Sequence, residues 1–84
     1  MPQINNNLQL VLIELKRQKK AERFPDHICA QANRVMCSAG SICENAHLIK
    51  YGCPDDSDGL KVYLEKSIIN TMASCLRMLE ELEK

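Results

Sequence analysis

Apolar residues recur at helical intervals in three stretches of the chain, and the most regular of these runs from Asp26 to Tyr51. At a seven-residue period Ile28, Val35, Ile42 and Ile49 form one row, and Ala32, Ala39 and Ala46 form a second row beside it. A β-branched row next to an alanine row predicts a helix seam that a second helix approaches closely. Cys29, Met36 and Cys43 widen the apolar face on one side. Gln31, Arg34, Ser38, Ser41 and Asn45 form a polar stripe on the other.

The stretch before it carries Leu8, Val11, Leu12 and Leu15 at helical spacing, with Leu10 and Ile13 turned away. That predicts a helix over about residues 3–22, apolar on more than one side and therefore sandwiched. Phe24-Pro25-Asp26 breaks it, because proline disfavours helix at Phe24, and Asp26 is the expected N-cap of the central helix. Tyr51-Gly52 ends that helix, with Gly52 expected in the left-handed C-terminal conformation.

A third helix is predicted over about 58–83, capped by Asp58. Its line Leu64, Ile68, Met72, Cys75, Leu79 and Leu82 is expected to face the core. Ile69, Leu76 and Met78 lie off that line, which calls for a second partner surface. Tyr63, Ser67, Asn70, Ser74 and Arg77 make a second polar stripe. A short loop between the second and third helices predicts an antiparallel hairpin in which facing residue numbers sum to about 110. Ser38 and Ser41 then lie level with Asn70 and Ser67. This meeting of two polar i, i+3 pairs is the most specific feature the pattern provides.

Composition narrows the class. A single domain of 84 residues buries only ~60–65% of its unfolded surface, so self-association is expected, as a homodimer or a dimer of dimers. The chain is 45% apolar with 4% aromatics and no tryptophan, which predicts an aliphatic core. Eleven basic residues balance eleven acidic ones, leaving no net field to draw nucleic acid or an anionic membrane. No apolar run reaches the ~18–20 residues of a membrane span, and MPQINNNLQL has no basic leader. A soluble, cytoplasmic protein is expected.

The five cysteines are odd in number and none forms a C-x-x-C pair, unlike a disulfide scaffold or a zinc site. Cys29, Cys43 and Cys75 occupy core-like positions and are expected as reduced core thiols, while Cys53, in the loop, is the reactive candidate. In that loop Asp56, Asp58, Gly59 and Glu65 imitate a calcium-binding EF-hand. Pro54 stands where its first ligand belongs, so capping accounts for the acidic residues. The basic run KRQKKAER offers Arg17 and Lys20 as phosphate contacts, set against a plain solvated helix end balanced by the acidic EELEK tail.

The polar pairs and their surroundings resemble the all-α nucleoside triphosphate pyrophosphohydrolases, the MazG-like superfamily, and especially its short phage and prophage members. In that family one helix carries E-x-x-E within an EEAGE-like string and the next carries E-x-x-D. The carboxylates hold Mg²⁺ for attack of water on a triphosphate, with pyrophosphate released. Met36-Cys37-Ser38-Ala39-Gly40-Ser41 looks like the first motif with both glutamates replaced by serine. Leu64 to Asn70 looks like the second, with Ser67 and Asn70 at the ligand places. Ile13-Glu14-Leu15-Lys16-Arg17-Gln18 through His27 is similar to the E-x-x-R-Q…H lead-in of phage members.

The departures alter what this likeness implies. Mg²⁺ needs hard, charged oxygen ligands, and three hydroxyls with one amide do not offset its dehydration. Glu44 and Glu65 survive nearby but are rotated by ~100° or more on their helices. The resemblance therefore implies a relative without metal-dependent pyrophosphohydrolase activity or a Mg²⁺ cofactor. Its candidate pocket contains Ser38, Ser41, Ser67 and Asn70, with Arg34, Asn45 and Ser74, and a nucleotide is the ligand the family suggests. Two alternatives stand beside it: a helical homo-oligomeric interaction module with no nucleotide, and an active enzyme that recruits Glu44 or Glu65 with residues of another subunit.

Overall fold

The structure, a computed structural model, describes residues 2–21, 23–52 and 57–84, with side chains from residue 6 onward except that of residue 57. Three helices carry it: α1 (Pro2–Ala21), α2 (Ile28–Tyr51) and α3 (Ser57–Leu82). Every regular element among the described residues is helical. Cys53, and the Pro54 and Asp56 of the calcium-loop reading, lie outside the described residues.

Local chemistry sets the helix ends, and three differ from expectation. The N-cap of α2 is His27 rather than Asp26: its backbone is extended (φ −104°, ψ 132°) and its Nδ1 accepts the Cys29 amide at 3.2 Å. An imidazole nitrogen does there what a carboxylate oxygen does at most caps. Asp26, one residue too early to reach the first-turn amides, pairs instead with Arg23 at 3.1 Å in solvent. Gln31 closes the same turn by donating through Nε2 to the Pro25 carbonyl at 2.8 Å. Asp58 lies inside the first turn of α3, where its charge complements the helix dipole without capping. Gly52, with φ −87° and ψ −160°, is not left-handed.

The middle of the fold is α3, not α2. Both other helices pack against it. α2 runs antiparallel to α3, and its pairs Ser38–Asn70 and Asn45–Ser67 fall on either side of the expected sum of about 110. α1 runs alongside α3 in the same direction, as Glu14–Asn70, Gln18–Ser74 and Lys19–Glu80 contacts advance together. The core between α1 and α3 is small. Val11, Leu15 and Ala73 are buried, with Ile69 and Leu76 packed on them.

That core overturns the apolar line assigned to the last helix. Ile68, Met72, Leu79 and Leu82 are exposed, and so are the thiols of Cys29, Cys43 and Cys75. The buried face of α3 is turned about one residue, some ~100°, toward Ala73, Ser74 and Arg77. Burial costs a polar group little where it is hydrogen-bonded, as Ser74 is to Gln18 at 3.4 Å, whereas Arg77 is buried against an aromatic ring. On α2, Gln31 is buried while Ala32 and Ala39 are half-buried and Ala46 is exposed. The polar stripe thus takes up seam that the alanine row was expected to fill.

Among the described residues Phe24, in the turn after α1, is the remaining buried apolar side chain. The Arg77 guanidinium lies 4.5 Å from its ring centroid and that of Arg34 lies 6.0 Å away. Desolvation holds the buried Arg77 below its usual pKa, and the nearby Arg34 charge lowers it further, while Glu81 and Glu80 oppose both. Such cation–aromatic contact offsets part of the cost of burying the charge.

Gly52 marks the end of α2 by proximity rather than by handedness. Its amide donates to the Leu48 carbonyl at 2.7 Å. A Cβ there would collide with that carbonyl oxygen and approach Leu48 Cα to 3.3 Å, all of it backbone. We expect Gly52→Ala to destabilise the fold by ~1–3 kcal/mol, measured by urea unfolding. Unchanged stability would mean that α2 ends differently.

Candidate functional site

The two polar stripes do face each other. Ser38, Ser41, Ser67 and Asn70 line one recess of about 250 Å³ between α2 and α3, together with Tyr63 and Lys66. On α3 these side chains fall at 63, 66, 67 and 70, one helical face over two turns. Ser38 Oγ donates to Asn70 Oδ1 at 3.2 Å. At one edge Asn45 Nδ2 donates to Ser67 Oγ at 3.4 Å, and Thr71 Oγ1 donates to the Ser67 carbonyl at 2.7 Å.

Asn70 also reaches the third helix. Its Nδ2 donates to Glu14 Oε2 at 3.1 Å, so one amide links α2, α3 and α1. Glu14 receives Gln18 Nε2 at 3.0 Å, and both of its oxygens accept from Arg17 at 2.7 Å. The paired Arg17 fork holds the Glu14 carboxyl below its ordinary 4.5 despite opposing desolvation, with Gln18 and Asn70 adding to the effect. Behind this layer Gln18 is fully buried. It donates to the Asn70 carbonyl at 3.3 Å and accepts Ser74 Oγ at 3.4 Å.

Several expected pocket residues lie elsewhere. Ser74 is fully buried one turn beyond Asn70 and serves the Gln18 contact. Arg34 stands over Phe24 rather than lining the recess. Arg17 is engaged with Glu14, and Lys20 is exposed on α1 and does not line the recess. Glu65 lines the groove on the α1 side of α3, and Glu44 is exposed on α2, so neither carboxylate enters the recess. Sequence reasoning missed Glu14 as a site residue, although it opens the Glu14-Leu15-Lys16-Arg17-Gln18 string. It also passed over Lys66, which lies on the helical face of Tyr63 and Asn70.

The donor set decides what the recess can hold. Its lining is three serine hydroxyls, an amide, a phenol and an ammonium. Among the described residues no three His, Cys, Asp or Glu side chains come together to hold a metal ion. The carboxylate bonded to Asn70, that of Glu14, also accepts from Arg17 and Gln18. A divalent cation does not fit such a set, whereas hydroxyl donors beside a lysine suit an anionic oxygen. Compared with family models, curated proteins and solved structures, the chain matches none.

The Glu14 cluster has a consequence for acid stability. Its folded-state pKa lies below the unfolded one, so its stabilisation is present above about 4.5 and lost as pH falls through the folded value. Glu14→Gln keeps the shape and one acceptor but removes the charge that Arg17 meets. We expect a loss on the order of 1 kcal/mol at neutral pH. We also expect a shallower fall in melting temperature than wild type below that pH. Parallel melting curves for the two proteins through the acid range would contradict the role given to Glu14.

Proposed function

We propose that the chain is a MazG-like helical protein that has lost metal-dependent catalysis and keeps the recess between α2 and α3 as a phosphate-binding pocket for a nucleotide. The observation that carries this reading is the convergence of Ser38, Ser41, Ser67 and Asn70, the four motif places, in one recess. Each holds a neutral residue, and Lys66 supplies the positive charge at the pocket. Tyr63, largely exposed beside it, offers a ring on which a base can stack. Binding of this kind needs no metal.

The amide at position 70 fits the same reading. A carboxylate there would put an oxygen about 3 Å from Glu14 Oε2, where Asn70 Nδ2 now donates at 3.1 Å. With Asn70 in place, Glu14 is a structural acceptor rather than one ligand of a cation site.

The helical interaction module without nucleotide is the second reading. It is favoured by the large apolar side chains left exposed, among them Ile13, Met36 and Leu79. Calorimetric titration with nucleoside triphosphates in the presence of a chelator separates the two. We expect binding in the micromolar to millimolar range, ~4–8 kcal/mol, abolished by Lys66→Ala. No heat at millimolar nucleotide leaves the interaction module.

The chemical half of the reading has its own test. No Mg²⁺-dependent release of pyrophosphate is expected from any nucleoside triphosphate. The combined change Ser38→Glu, Ser41→Glu, Ser67→Glu and Asn70→Asp should destabilise the metal-free protein, because the four new carboxylates repel one another and the one introduced by Asn70→Asp also repels Glu14. Mg²⁺ or Mn²⁺ should restore its melting temperature. If metal makes no difference to that variant, the MazG-like reading is withdrawn.

A further inference from the structure

The charge on Glu14 dictates the direction of hydrogen bonds as far away as α2. An ionised carboxylate can only accept, and the Arg17 fork favours that ionised form. The Asn70 amide must therefore turn Nδ2 toward Glu14, as it does at 3.1 Å. That leaves Oδ1 facing Ser38, and an amide oxygen also only accepts. Ser38 has one proton, and it is committed to Asn70 Oδ1 at 3.2 Å. What Ser38 Oγ has left to offer the recess is lone pairs.

Further along the recess the polarity is opposite. Ser67 Oγ already accepts from Asn45 Nδ2 at 3.4 Å, so its proton remains for an acceptor on a ligand. Lys66, in the same lining, can only donate. The recess is thus divided into an acceptor at Ser38, beside Asn70, and donors about one helical turn away at Lys66 and Ser67. An anionic oxygen suits the second part. Against Ser38 it would set lone pairs against lone pairs.

We propose that Ser38 is a specificity residue that accepts a hydrogen bond from an O–H or N–H group of the ligand, and that Asn70 and Glu14 are positioning residues that hold Ser38 in that role. The inference rests on the reading of the recess as a nucleotide pocket and adds what the pocket selects. A ligand matched to it carries a donor beside its phosphate rather than phosphate oxygens alone. On a nucleotide such a donor comes from the sugar hydroxyls or from the N–H groups of the base.

Calorimetric titration with a chelator present can compare the four ribonucleoside triphosphates with their 2′,3′-dideoxy counterparts. The wild type is expected to bind the ribonucleotides about five- to tenfold more tightly, and Ser38→Ala to bind both sets alike. A preference among bases that is the same in both sets and is lost in Ser38→Ala also supports the proposal, and assigns the donor to the base. Discrimination that survives Ser38→Ala overturns it, as does the absence of any discrimination, and in both cases the nucleotide reading stands. No binding of any nucleotide overturns the two together.

The relay has a readout that a merely structural role would not move. Glu14→Ala frees the Asn70 amide to turn and should bring the discrimination close to unity. Glu14→Gln keeps an acceptor and should retain it. If Glu14→Ala weakens both sets of nucleotides by the same factor, the positioning role is overturned. The wild-type protein gives a measurement that does not depend on how the variants fold. The side-chain amide resonance of Asn70 should shift as the Glu14 carboxyl is protonated, and a resonance indifferent to that titration overturns the relay.

Discussion

One side chain ties the helices together. Asn70 accepts from Ser38 on one neighbour and donates to Glu14 on the other, so the placement of α1 and α2 is set by opposite ends of a single amide. Few apolar residues help: the buried cluster of Val11, Leu15 and Ala73 is too small to fix two helix packings by volume alone. Polar networks inside a fold specify geometry when every member is satisfied, and this one is well connected, from Arg17 through Glu14 and Asn70 to Ser38, with Gln18 and Ser74 closing the side branch.

The same clasp links structure to chemistry. An amide can donate to a carboxylate and accept from a hydroxyl at once, which neither an aspartate nor a leucine can do. The neutral amide that lines the recess is therefore also the group that lets Glu14 be partly buried. The recess is lined by neutral polar side chains with one lysine among them, an arrangement suited to anionic oxygen. The electrostatic character of the site follows from what holds the helices in place.

Much of this was legible in the chain. The three helices, the antiparallel hairpin, its register and the meeting of Ser38 and Ser41 with Ser67 and Asn70 all follow from spacing, because a short loop fixes which turns face each other. The centre of the fold was not legible. Hydrophobic periodicity favours α2, whose β-branched and alanine rows are regular, yet the helix that carries both contacts is α3, whose inward face is polar. Periodicity reads Ser67, Asn70, Ser74 and Arg77 as a polar stripe beside the apolar face, and it cannot see that Gln18, Glu14 and Phe24 come from a distant segment to meet it. The same blindness moved Met72 and Cys75 into an expected core. At His27, a cap made by a ring nitrogen escapes a rule built on side-chain oxygens.

The way α1 is attached bears on the order in which the fold assembles. Contacts of α2 with α3 join residues such as Asn45 and Ser67, which are near one another along the chain, whereas Gln18 must find Ser74 across 56 residues. Closing the longer loop costs more chain entropy, and local contacts form sooner than distant ones. The hairpin is thus the early unit and α1 the late one. By the same logic, undocking of α1 is the lowest-cost partial opening, and amides of the Gln18 turn should exchange with solvent before those around Ser38.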